Sequence, residues 1–136
     1  YNTHINKKSA FNTPPVSTIF VVNKTLSWLK ELGGLVAIED RNKIKAEKLY
    51  REIERNSIFT CPVNNEDRSQ MNVPFTFMEN GNENKFLQFC ADRGLMTLKG
   101  HRSVGGFRAS IYNAMPLEGI DALVTAMQDY ESMDSK

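Results

Sequence analysis

Residues 98–116 read LKGHRSVGGFRASIYNAMP and set His101, Arg102 and Arg108 around the pair Gly105-Gly106. These side chains suit anions. A guanidinium is a planar fork that makes two parallel charge-assisted bonds to a carboxylate. An imidazole, a second guanidinium and the Ser103 hydroxyl offer donors to a phosphate, and paired glycines let the backbone approach a ligand or take a positive φ. The spacing is not the GxxxxGK[ST] of a nucleotide-binding loop, so a tight turn with a satisfied histidine fits it equally well. Arg108 has its own plain alternative, a surface ion pair with an acid from another element. FNTPP, earlier in the chain, poses a similar choice. Asn12 and Thr13 either cap the proline-started helix that follows or offer an amide and a hydroxyl to a phosphate at its N-terminus.

The elements that must carry these residues alternate between helix and strand. Pro14 and Pro15 exclude helix before them and suit a helix start, because proline has no N–H to lose in the first turn. That helix runs to about Leu32, with Ile19, Val22, Leu26 and Leu29 recurring at helical steps as its core stripe and Gly33-Gly34 as its left-handed stop. A second helix, 35–55, turns Ile38, Leu49 and Ile53 inward and leaves Arg41, Lys45, Lys48 and Glu52 on a solvated face. Strands are expected at 56–60 and 71–78, on either side of the polar loop 64–68. Pro74 marks an edge or a locally unpaired position of the second strand. A helix over 83–93 buries Phe86, Leu87 and Cys90 and closes at Gly94. A short strand at 95–98, the glycine loop, a strand at 107–112 and a helix from Pro116 to about Ser132, with Ile120, Leu123, Val124 and Met127 inward, complete the order. In the strand at 107–112, alternation puts Phe107, Ala109 and Ile111 on one face and Arg108, Ser110 and Tyr112 on the other. The fold class is α/β (α+β): a small, mostly antiparallel sheet with helices packed on it.

Composition limits what the anion can be. The 136 residues are 40% hydrophobic and 24% charged, which describes one globular domain. A net charge of +1 gives no global footprint for nucleic acid or an anionic membrane, so any anion is met locally. Cys61 and Cys90 are too far apart for a CxxC motif and, with His4 and His101, make no zinc-ligand spacing. They read as reduced thiols, and the expected location is cytoplasmic. No apolar run reaches the length of a membrane span, and no secretory signal opens the chain. A start at Tyr1 rather than methionine reads as a processed or truncated product.

FNTPP, MNVPF, LKGHRSVGG and RASIYNAMPLEG, in this order and at these separations, closely resemble the C-terminal part of the phosphoserine aminotransferase family. The resemblance covers essentially the whole chain, and GHRSVGG with RASIYNAMPLEG is its most specific part. It implies a fold-type I enzyme dependent on pyridoxal 5'-phosphate, working as a homodimer with active sites at the subunit boundary. The small-molecule substrates implied are 3-phosphohydroxypyruvate and glutamate, converted to O-phosphoserine and 2-oxoglutarate in serine biosynthesis. In many bacteria a phosphorylated threonine derivative in pyridoxine biosynthesis is a further substrate. Carried over by the resemblance, Arg108 binds the α-carboxylate. His101 and Arg102 reach the phosphate, or glutamate's side-chain carboxylate, from the neighbouring subunit, and Asn12 and Thr13 hold the cofactor's phosphate across the dimer. On this reading residues 1–14 lead from a large cofactor-binding domain and residues 15–136 are the C-terminal aminotransferase domain.

The family's Schiff-base lysine, the aspartate facing the pyridine nitrogen and the aromatic stacked on the ring all lie upstream of the matched region, and none of the lysines here sits in such a setting. The polypeptide alone is therefore expected to be inactive. Two rival readings stand beside this one. A non-catalytic domain could capture phosphorylated small acids through the same residues, whereas a related aminotransferase of different substrate is disfavoured by the His-Arg pair.

Overall fold

The computed structural model describes residues 1–79 and 81–134. The chain divides into two compact units, Tyr1–Ile38 and Glu39–Lys136. The first contains α1 (Asn2–Asn6), α2 (Val16–Glu31) and the first residues of α3 (Gly34–Arg55). The helix α1 departs from expectation. Proline disfavours helix in the residue just before it, and α1 ends well ahead of Pro14, so the prolines exert no hold on it. Prolines 14 and 15 do precede α2, and Gly33 at φ +100° follows it.

The apolar face of α2 is where the expected core stripe fails. Ile19 is 57% exposed and Leu26 59%, Val22 is exposed too, and the helix buries none of its residues. Helical periodicity identifies an apolar face correctly but says nothing about what covers it.

In the second unit, β1 (Phe59–Thr60), β2 (Asn72–Phe77) and β3 (Phe107–Ser110) form an antiparallel sheet in that order. The register sets Phe59 opposite Phe77, Val73 opposite Ala109, Pro74 opposite Arg108 and Phe75 opposite Phe107. The strand expected at 56–60 shrinks to two residues because Asn56, its start, is buried at the end of α3, where its side chain accepts the N–H of Ile58. Pro74 lies on the central strand, not an edge. The Ile111 N–H bonds the Met71 carbonyl, so odd-numbered residues of β2 turn their backbone groups toward β3 and Pro74 turns toward β1. There β1 pairs only with Thr76 and Phe77, and proline's missing donor interrupts no ladder.

Helices α4 (Glu83–Ala91) and α5 (Leu117–Asp134) and the second-unit part of α3 supply the rest of the core. Phe59, Phe75, Phe86 and Phe107 are buried against one another, with ring centroids 4.9 Å apart for Phe59–Phe86 and Phe86–Phe107 and 5.0 Å for Phe75–Phe107. Leu49 and Ile53 of α3 and Ile120, Leu123 and Met127 of α5 join them. Leu87 and Val124 are only partly buried at the margin of this cluster. Cys61 and Cys90 are free thiols, and burial pushes the Cys90 thiol up to about 11. Among the described residues no helix is long and apolar enough to cross a membrane.

The supposedly solvated face of α3 is partly core. Lys45 is 3% exposed and Glu52 4%. The Lys45 ammonium donates to the carbonyls of Ile111 at 3.0 Å, Tyr112 at 2.7 Å and Met115 at 3.1 Å, which uses all three of its N–H donors. Burial would push the Glu52 carboxyl up, but bonds from Arg55, Gln128 and Asn56 outweigh it and leave the group below the usual carboxylate range.

Candidate anion-binding site

The segment expected as a strand at 95–98 is not one. Thr97 takes a left-handed φ of +61°, which breaks an extended run. Pairing begins just after it. The Arg108 N–H donates to Leu98 O at 2.7 Å, Lys99 bridges Phe107, and the Gly100 N–H donates to Gly106 O at 2.8 Å. Residues 98–100 and 106–108 thus form the legs of a hairpin with 101–105 as its tip, and this hairpin carries His101, Arg102 and Arg108 together.

Arg108 stands on β3 between β2 and the 98–100 leg: its N–H donates to Leu98 O, while its neighbour across on β2 is Pro74, at a position of the ladder that exchanges no bonds with β3. Phe107, Ala109 and Ile111 are buried and Arg108 and Tyr112 exposed, as the alternation requires. The surface ion pair is not formed: among the described residues no carboxylate pairs with Arg108 or with Arg102. On the same sheet face, Asn72 Oδ1 accepts from Ser110 Oγ at 3.2 Å and from the Tyr112 hydroxyl at 3.3 Å.

The tip is a closed turn. The His101 carbonyl accepts the N–H groups of Val104 at 2.9 Å and Gly105 at 2.8 Å. Gly105 and Gly106 have φ of +78° and +62°, a region that glycine enters without steric cost. A Cβ on Gly106 would also lie 2.8 Å from Phe75 O. The Gly106 N–H donates to Glu83 Oε1 at 3.1 Å, so this acid beside the loop is engaged by backbone. His101 Nδ1 lies 2.7 Å from Ser103 Oγ and 3.3 Å from the Ser103 nitrogen. Among the described residues the histidine is therefore satisfied on one side of its ring only, and Arg102 is exposed.

Asn12 and Thr13 belong to the other unit. Both are exposed, and neither caps α2, whose N-cap is Pro15 with no side-chain bond. The capping role open to them in the sequence is not taken up. Sequence reasoning missed the supports of the hairpin: Glu83 under its tip, Asn72 beside Arg108, and Lys45 beneath residues 111–115. Lys45 had a readable signal, since Ile38, Asn42, Lys45, Leu49, Glu52 and Asn56 recur at helical steps and all six are buried.

An exposed arginine on a sheet face, with a basic glycine-closed loop beside it, makes a candidate anion-binding hairpin in an α/β domain. The family model "Aminotransferase class-V" matches residues 2–123, and the chain belongs to the class-V aminotransferase family. Within that family it is similar to the phosphoserine aminotransferase of Nitrosomonas europaea, with 53% identity over 131 residues, 96% of this chain and 36% of that protein. Among solved structures it resembles the phosphoserine aminotransferase of Bacillus circulans subsp. alkalophilus, with a TM-score of 0.90 at 38% identity, covering 98% of this chain and 37% of that one. The PLP-bound phosphoserine aminotransferase of Trichomonas vaginalis gives a TM-score of 0.85 at 46% identity, covering 94% and 37%. The chain spans little more than a third of the length of these relatives.

Proposed function

We propose that this chain is the C-terminal portion of a phosphoserine aminotransferase, with residues 1–14 leading from the cofactor-binding domain and 15–136 forming the C-terminal domain. In the whole enzyme it supplies the substrate's anion grips, and the covalent chemistry falls to residues outside the chain. The observation that carries this reading is the hairpin with two exposed arginines and no ion pair for either among the described residues. Their missing counter-charge is the substrate, which carries an anion at each end. Arg108 holds the α-carboxylate common to both amino donors and both keto acids. His101 and Arg102 hold the far anion, phosphate or side-chain carboxylate, of a substrate bound to the partner subunit of a homodimer.

The donor chemistry of Asn12 and Thr13 fits a phosphate, because a carboxamide N–H and a hydroxyl are offered free of any capping bond to α2. They would hold the phosphate of pyridoxal 5'-phosphate across the dimer. Once bound, that cofactor supplies the electron sink through which an amino group is exchanged for a carbonyl oxygen. The pathway served is serine biosynthesis in the cytoplasm, and a phosphorylated threonine derivative in pyridoxine synthesis has the same two anions.

Subunit mixing tests the shared site. Full-length Arg102→Ala and Arg108→Ala enzymes each lose a charge-assisted contact on the order of 2–5 kcal/mol and should be nearly inactive as homodimers. Re-pairing them at random makes about half of the dimers mixed, each with one intact site of two, so activity should recover to roughly a quarter of wild type. Absence of recovery despite confirmed exchange would mean that both grips of a site come from the same subunit and would overturn the reading.

A further inference from the structure

We infer that Ser103 is a positioning residue that sets the tautomer of His101. A backbone N–H can only donate, and the Ser103 N–H meets Nδ1 of His101 at 3.3 Å. Nδ1 therefore presents its lone pair. The Ser103 hydroxyl, 2.7 Å from the same nitrogen, is then its second donor. With Nδ1 committed as an acceptor, the proton of the neutral ring resides on Nε2. The backbone holds this geometry from both sides of the turn: Val104 and Gly105 bond the His101 carbonyl, and Gly100 and Gly106 close the legs. The imidazole is prepared before any ligand arrives.

The consequence deepens the proposed function and rests on it. An anion arriving at the tip meets an Nε2–H donor without waiting for the ring to gain a proton or exchange tautomers. Arg102 supplies the charge and His101 the directed bond. A ring free to sample both tautomers would present Nε2–H only part of the time, and the apparent affinity would fall by that fraction.

Two measurements test this. The chain has only two histidines, His4 and His101, so a His4→Gln background leaves one ring in the ¹⁵N spectrum. In its neutral form that ring should show an unprotonated Nδ1 and a protonated Nε2, and Ser103→Ala, which leaves only the longer backbone bond, should move both signals part of the way toward a tautomeric average. In the full-length enzyme Ser103→Ala should raise KM for phosphoserine about three- to tenfold with a smaller effect on kcat. Ser103→Thr, which keeps the hydroxyl, should restore it. A wild-type ring protonated at Nδ1, or Ala and Thr variants with the same KM as wild type, would overturn the inference. The anion-site reading fails separately, by an Arg102→Ala enzyme with unchanged KM for phosphoserine, and that result would leave the tautomer assignment standing.

Discussion

Replacing Lys45 with methionine keeps most of the apolar stem and deletes three donors. The wild-type ammonium serves the carbonyls of Ile111, Tyr112 and Met115, joining α3 to the corner between β3 and α5, and a second link runs from Asn42 Nδ2 to Asn113 Oδ1 at 2.8 Å. The bond to Ile111 is buried and the other two are partly buried, so water can reach two of the orphaned acceptors but not the third. One fully stranded carbonyl costs about 1–3 kcal/mol, and two partly rehydrated ones add a fraction of that each. Against this, the variant no longer has to desolvate an ammonium. Burial, with a smaller push from Arg41, already pulls Lys45 below the usual lysine range. The donors should win, for a net loss of about 1–3 kcal/mol. Urea unfolding followed by far-ultraviolet circular dichroism gives the number, and amide exchange at residues 111–115 should accelerate with it. Lys45→Arg should not rescue, because a planar fork does not converge on three acceptors as an ammonium does. A Met variant within about 0.5 kcal/mol of wild type would refute the reasoning, since the clamp would then be an ion whose desolvation cancels its bonds.

Gly106→Ala should destabilise by about 2 kcal/mol or more, because φ is +62° and the new methyl would meet Phe75 O at 2.8 Å; a urea midpoint equal to wild type would refute the close approach. The Glu131 carboxyl is held at about 2 by the Ser57 N–H, then by Arg55 and the Ser57 hydroxyl. Its folded value lies below the unfolded one near 4.5, so its contribution is complete above pH 4.5 and fades as the pH falls toward 2. Urea midpoints measured across that window should fall less steeply in Glu131→Gln than in wild type.

Alternation along 107–112 was enough to place Arg108 opposite the core, because a period of two admits no other arrangement once Phe107, Ala109 and Ile111 are buried. The same kind of reasoning misplaced Lys45 and Glu52. Their positions follow the buried stripe of α3, but their residue types argued for water. What drew them inward were acceptors and donors far along the chain: the carbonyls of 111–115 for Lys45, and Gln128 for Glu52. A sequence shows a side chain's appetite for partners without showing that distant segments will supply them. At α2 the reverse holds, since the apolar period was read correctly and the face is nevertheless exposed. The Ser103–His101 pair lies beyond any periodicity, because it depends on the closed turn and on the orientation of one ring.

The hairpin's two candidate anion grips differ in stiffness, and the proposed chemistry would give each a use. Arg108 is planted on β3, its N–H bonded to Leu98 O on one flank and its neighbours Phe107 and Ala109 paired to β2 on the other. A fixed fork suits the α-carboxylate, which every substrate of the reaction presents at the same distance from the reacting carbon. In the proposed reaction the far anion would be a tetrahedral phosphate in one substrate and a planar carboxylate in another, on chains of different length. A tip that fixes only the imidazole and leaves the Arg102 guanidinium exposed can meet both, because the histidine supplies direction and the arginine supplies reach. Gly106 is the joint between the two grips: its left-handed turn against Phe75 lets the chain leave the sheet immediately before the strand that holds Arg108 begins.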